Sequence, residues 1–539
     1  MSDNLAPMTS ERRTRALAVC VLLALIHTWP LAMHPGRYSR NDNADTQLNE
    51  WILAWVEHEL PRAPLHLFEA NIFYPAHDAL AFSEPLIVPA LLGAPIAWSG
   101  GSPVLVYNLV LIAGFALTAF ATFLLVESWT GSFFAGLLAG SAFAFNTHTL
   151  TRLPHIQGIH IYSLPLVLLA ADTLLREGSW KAGAALVGGL ALAAYTSGYL
   201  IVFAAVMLAI FGVATLPVWR PQWRFVGPRT AAALALSALV LVPIYLPYHR
   251  AATEQHMLRS LDLVKEYSAT PRGFLASAGR IHFSTWSGRF FKDPVDSFFP
   301  GFTLIVLAAM ALLRRHESGV SRWRIVGVGA FAAAGAVLAL GTATPFYGWL
   351  YHVFPPMQGL RAAARFGNLF LLGMAILAGY GAAGIRRPAV AIALIVLVNA
   401  EALRAPFTYQ PFAGIPSVYA LLRDEPGPVV VAEQPFYPPW AVFLNGSYVL
   451  NSTAHWRPLM NGYSGYTPDT YHQYANAFWY FPQEWAIKAM KDAGVTHVVV
   501  HPAAFRRDHQ EVVPLLDARS DFELLGIGAD DVRLYRLKR

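Results

Sequence analysis

Residues 103–126 read PVLVYNLVLIAGFALTAFATFLLV, an apolar run without one charged side chain. About 20 mostly apolar helical residues cross the hydrocarbon core of a bilayer, so this stretch is long enough to span one. Working outward, similar stretches fall at 15–33, 132–147, 157–175, 182–197, 199–217, 230–247, 298–313, 325–341, 366–385 and 388–404, about eleven in all. Composition agrees: of 539 residues, 55% are hydrophobic and 13% charged, against roughly a quarter charged in soluble domains. The excess apolar surface needs lipid, which excludes a soluble enzyme. The 15 Trp and 22 Tyr suit membrane interfaces. A single cysteine, Cys20, rules out an intramolecular disulfide and a Cys-rich metal site. The net charge of +6 is dispersed in short clusters between the apolar stretches, so nucleic acid is not an expected partner.

Arg12, Arg13 and Arg15 precede the first stretch and place the N-terminus in the cytoplasm. The residues after it, His34-Pro35-Gly36-Arg37-Tyr38, offer no small-x-small cleavage site, which marks a retained anchor. A long polar and aromatic outer loop, 34–82, follows. The Pro-broken stretch 85–98 reads as interfacial or re-entrant. Arg176 and Lys181, then Arg220, Arg224 and Arg229, then Arg314, Arg315, Arg322 and Arg324, then Arg386 and Arg387 all fall on the side of the N-terminus, as positive-inside topology requires. The loops 34–82, 148–156, 248–297 and 342–365, and everything after about 405, then lie outside. From 405 the pattern turns soluble. Val429 to Val431 and Val495 to Val500 read as buried strands, Glu484 to Lys491 before Gly494 as a helix with a glycine stop, and Phe522 to Leu537 as a strand pair with a turn near Gly526 to Asp531. The expected fold is therefore an all-α polytopic membrane bundle of about eleven transmembrane helices over 1–404, with a soluble extracytoplasmic α/β domain over 405–539.

The first outer loop contains Arg40-Asn41-Asp42-Asn43-Ala44-Asp45 ahead of a helical stretch from Gln47 to Leu60, in which Asp45 or Thr46 is the expected cap. A carboxylate here can serve as a general base on an acceptor, or hold a divalent cation such as Mg or Mn; a plain helix cap is the competing reading. His155 and His160 are five apart, a poor spacing for two ligands on one helical face. Arg361 and Arg365 are spaced i, i+4 where a loop enters a span, so both guanidinium groups can face one lipid phosphate or reach the headgroups. From Glu433 to Tyr474 the chain is dense in aromatic, amide and guanidinium side chains, with His455, Arg457, Asn461 and Tyr463 close together, a composition suited to sugar binding. Gly379-Tyr380-Gly381-Ala382-Ala383-Gly384 spells a dinucleotide fingerprint, but it ends a span with no strand before it, so close helix packing explains it.

Asp45-Thr46-Gln47-Leu48-Asn49-Glu50-Trp51-Ile52-Leu53-Ala54-Trp55, Asn71-Ile72-Phe73-Tyr74-Pro75, Phe82-Ser83-Glu84-Pro85-Leu86, the run from Pro355 to Phe366, and His455-Trp456-Arg457-Pro458 followed by Asn461-Gly462-Tyr463-Ser464-Gly465-Tyr466 carry a resemblance. Over nearly its whole length the chain resembles bacterial membrane proteins of the GT-C glycosyltransferase superfamily, in the dolichyl-phosphate mannosyltransferase-like and aminoarabinose transferase-like branch. The resemblance implies hexosyl or pentosyl transfer from a polyprenyl-phosphate-linked donor to a glycan, lipid or protein acceptor, outside a bacterial inner membrane. It implies Asp45 as catalytic acid, with Asp42 beside it, and favours Arg365, with Arg361, for the donor phosphate. The family's usual second acid is missing from 148–156, which offers His148, Arg152 and His155 instead. Glu84 or His155 is the expected substitute. Two other classes stay open: a lipid or glycan transporter or flippase, whose paired halves are not evident here, and an inactive glycan-assembly protein.

Overall fold

In the computed structural model the described residues are 9–40, 42–291, 297–313, 320–528 and 531–538. Arg314 and Arg315 of the charge pattern, and the centre of the turn expected near 526–531, lie outside them. The chain divides into two compact units, one of 1–35, 108–244 and 258–408, the other of 36–107, 245–257 and 409–539.

Helices occupy every apolar stretch read from the sequence. Among the described residues five are long and apolar enough to cross a membrane: Pro103–Thr130, Ile156–Glu177, Leu216–Glu254, Ser321–Ala339 and Ala363–Ala382. Shorter apolar helices at Phe133–Ala144, Trp180–Ala194, Gly198–Ala214, Phe302–Leu313 and Pro388–Ala402 match five more expected positions. The chain is an integral membrane protein built on a helical bundle. The expected first span differs in its bounds: its helix runs Ser10–His27, because Thr9 caps it early and it closes at Thr28, ahead of Pro30. The helix Ile87–Trp98, with 12 residues like Phe133–Ala144 and Phe302–Leu313, is about 18 Å long, short of the roughly 30 Å of a bilayer core.

In the first unit the helix Gly367–Ala382 is buried along almost its whole length and packs on Phe302–Leu313, Val320–Ala339 and Phe133–Ala144. Helices in lipid gain little from hydrophobic burial against one another and associate by close packing over small residues. A side chain at Gly379 would strike Val126 and Ala139, and one at Gly381 the Leu307 backbone. The dinucleotide look-alike is thus a packing seam.

The second unit gathers residues 36–107 and 245–257 with the C-terminal segment 409–539. Its four-stranded sheet, of order β3-β4-β6-β5, comprises β3 (Val431–Gln434), β4 (His497–Val500), β5 (Phe522–Ile527) and β6 (Arg533–Leu537). β3 and β4 are parallel and β6 joins β4 antiparallel, with β5–β6 as the expected strand pair. The helix before β4 is Glu484–Asp492, followed by Gly494 at φ 85°. A two-residue ladder pairs β1 (Tyr38–Ser39) with β2 (Gln410–Pro411).

Candidate active site

The loop helix, Ala44–Glu59, is buried on nearly all sides; only a few positions, Asp45 among them, are half-exposed. Its cap is Asn43, whose side chain accepts the Asp45 N–H at 2.9 Å, and not Asp45 or Thr46 as expected. The Asp-Asn-Ala-Asp cluster offers several residues able to cap, and Asn43 has the extended backbone the position needs. Asp45 sits in the first turn, where the helix dipole favours its charge, and the Tyr463 hydroxyl donates to its Oδ1 at 2.7 Å.

Tyr463 is held by two loops that pair through their backbones. Phe73 and Tyr74 donate to the carbonyls of Asn461 and Leu459, and Leu459 donates to that of Asn71. Asn461, fully buried, imitates a strand neighbour of β3: its Oδ1 accepts the Glu433 N–H at 2.7 Å and its Nδ2 donates to the Glu433 carbonyl at 3.1 Å. The Asn445 amide donates to the Gly462 carbonyl at 3.0 Å. Gly462 lies against the Phe73 ring, where a Cβ would collide, and Phe73 itself takes φ 61°. A buried non-glycine residue in the left-handed region is a cost borne where the surroundings fix the backbone. The Asn71-to-Pro75 and Asn461-to-Tyr466 motifs are thus one assembly.

Glu50, which sequence reasoning passed over, is a second carboxyl on this helix. It is fully buried, and the Ser39 hydroxyl donates to it at 2.7 Å. Burial pushes its pKa up to about 8, against the opposing effect of that hydrogen bond.

The remaining expected residues take different places. Asp42 is exposed and pairs with Arg40 at 3.2 Å. Glu84 is half-buried in the turn before the helix Ile87–Trp98. His455 is buried, accepts the Arg457 N–H at 2.9 Å, and has its pKa pushed down to about 3 by burial and by Arg457 and Arg423. The Arg457 guanidinium donates to the carbonyls of Leu422, Arg423 and Glu425. Of the four residues expected to bind sugar, Tyr463 reaches the acid, while Arg457 and Asn461 hold the chain that carries it. Among the described residues no three His, Cys, Asp or Glu side chains gather as a metal-holding set.

In the other unit, Arg361 and Arg365 do not share an α-helical face. Arg361 lies in coil, and Arg365 in the 3-10 turn Ala363–Phe366; the α-helix starts only at Gly367. Ala362, at ψ 80°, breaks any helix between them. Two tyrosines place them instead. Arg365 lies 4.4 Å over Tyr199 and Arg361 5.2 Å over Tyr267, while the Tyr199 hydroxyl accepts the N–H groups of Arg361 and Ala362. Cations over aromatic faces keep their outward N–H groups usable. Burial, with Arg152 and Arg365 nearby, pushes the His148 pKa well down, so the ring is neutral and adds no charge. His155 is half-buried at the start of the 3-10 turn Ile156–Gly158.

No protein-family model matches the sequence, and no curated protein sequence matches it. Solved structures do. Arabinofuranosyltransferase AftD from Mycobacteria is 15% identical with a TM-score of 0.62, over 99% of this chain and 40% of that one. The apo oligosaccharyltransferase of Archaeoglobus fulgidus is 13% identical with a TM-score of 0.52, over 92% of this chain and 70% of that one. The chain thus spans about two fifths of the length of the mycobacterial protein it matches. At such identities the likeness is one of architecture: the chain shares the fold of these two proteins.

Proposed function

We propose that the protein is a glycosyltransferase that moves a hexosyl or pentosyl unit from a polyprenyl-phosphate donor to a glycan, lipid or protein acceptor at the outer face of a bacterial inner membrane, with its N-terminus cytoplasmic. The observation that carries this reading is Asp45: Asn43 relieves it of capping, and Tyr463 is positioned from a distant part of the chain to meet its carboxylate. In the reaction an acceptor hydroxyl oxygen attacks the anomeric carbon, the bond from that carbon to the phosphate oxygen breaks, and the acceptor proton passes to Asp45. Arg365, with Arg361, both in the first unit, would bind a polyprenyl phosphate through its guanidinium. Among the described residues no three His, Cys, Asp or Glu side chains gather as a metal-holding set, and no step here uses a cation. Glu50, on the same helix as Asp45, joins Glu84 and His155 as a candidate for the second acid, and holds its proton at neutral pH.

The experiment is sugar transfer from radiolabelled polyprenyl-phosphate pentose and hexose donors by purified protein in lipid, comparing wild type with Asp45→Asn. Transfer by wild type and its loss in a folded variant are expected. Equal transfer by both removes the role of Asp45, and silence of wild type across the donors removes the transferase reading.

A further inference from the structure

At the far end of the loop helix lies a cavity of about 440 Å³, formed wholly within the second unit. Glu57, His58 and Arg62 line it from the loop helix and its end, Trp98 from the helix Ile87–Trp98, and Arg423 and Trp456 from the C-terminal segment. Glu57 follows Asp45 by twelve residues, about 18 Å along an α-helix, so the cavity is separate from the transfer site. We propose that this cavity binds a carbohydrate unit, as a remote subsite for the acceptor glycan; naming the ligand as acceptor rests on the transferase reading above.

The lining suits a hydroxyl-rich ligand. Glu57 is 5% exposed, and among the described residues its Oε1 has no hydrogen-bond partner. A buried polar atom in that condition costs free energy until something bonds it. Two guanidinium groups in the lining, those of Arg62 and Arg423, disfavour an organic cation. A sugar can meet them and the Glu57 carboxyl together, because each hydroxyl donates and accepts. Burial raises the Glu57 pKa to about 8, so at neutral pH the group both donates and accepts as well. The flat surfaces are present: Trp456 stacks on His58 at 4.3 Å, and Trp98, largely exposed, is tied by its indole N–H to the Glu57 carbonyl at 3.0 Å. Indole faces suit the C–H faces of sugar rings, with polar groups fixing the orientation. Trp456 holds φ 59°, a strained conformation at the cavity wall.

The test is calorimetry and saturation-transfer NMR on the full chain in detergent, with arabinofuranosyl, mannosyl and galactosyl tetrasaccharides as probes. Three variants are compared: Trp456→Gly, in which glycine accepts the positive φ; Trp98→Ala, at an exposed position; and Asp45→Asn. Binding of at least one probe is expected, at least ten-fold weaker in Trp456→Gly and Trp98→Ala than in wild type. If Trp456→Gly does not fold, Trp98→Ala decides. The proposal is overturned if wild type binds none of the probes, if both tryptophan variants bind as wild type does, or if Asp45→Asn alone loses binding. Probe binding that depends on the tryptophans, in a protein that transfers no sugar, upholds the pocket and defeats the transferase reading instead.

Discussion

Replacing Glu50 by Gln should stabilise the protein, and by an amount that grows with pH. The folded carboxyl is raised from an ordinary 4.5 to about 8, first by complete burial. In the unfolded chain it ionises from about pH 4.5 upward, while the folded protein keeps the proton until about pH 8. Between these values the unfolded state binds fewer protons, so rising pH erodes stability; outside the window the effect is level. At about 1.4 kcal/mol per pH unit the loss is about 3 kcal/mol at pH 7 and about 5 kcal/mol once pH passes 8. Gln keeps an oxygen for the Ser39 hydroxyl and has no proton to lose. Unfolding of purified protein in detergent can be followed by near-UV dichroism from about pH 5 to 9. Wild type should lose stability more steeply than Glu50→Gln, which keeps only the slope contributed by Glu57 and the other titrating groups. Parallel profiles for the two proteins would refute the buried neutral carboxyl.

Tyr463→Phe removes a hydroxyl donated to a carboxylate, an interaction of about 1.5–3 kcal/mol, and should lower kcat roughly ten- to a hundred-fold with a smaller change in KM, measured by steady-state sugar transfer. Arg365→Ala should weaken binding of polyprenyl phosphate by a similar factor, read by titration in detergent; Arg365→Lys should restore only part, because a lysine cannot present a planar fork.

The apolar helices and the strands of the C-terminal segment were legible because each follows one strong local signal: long uncharged runs, or short β-branched ones such as Val498 to Val500 in β4, ahead of a glycine or proline break. Asp45 was legible through the motif around it. Its partner was not: Tyr463 lies 418 residues further on, and no local pattern reports a contact of that span. The cap was misread because neighbouring polar residues compete for one position, and backbone geometry decides between them. The Arg361 and Arg365 pair was misread because the i, i+4 rule assumes an α-helix that begins only at Gly367. Glu50 was overlooked because an acid inside a helical run reads as solvent-facing, whereas here the loop helix is packed by the helix Ile87–Trp98 as well as by the C-terminal segment.

The pairing of the Asn71 and Asn461 loops has a consequence for the order of events during synthesis. The loop helix is made first, yet the tyrosine that meets its acid follows 418 residues later. At about 5–20 residues per second the ribosome needs roughly 20–80 s to deliver it. Through that interval the nascent loop must be kept from aggregating or being cut, and a stretch translated late is what completes one translated early.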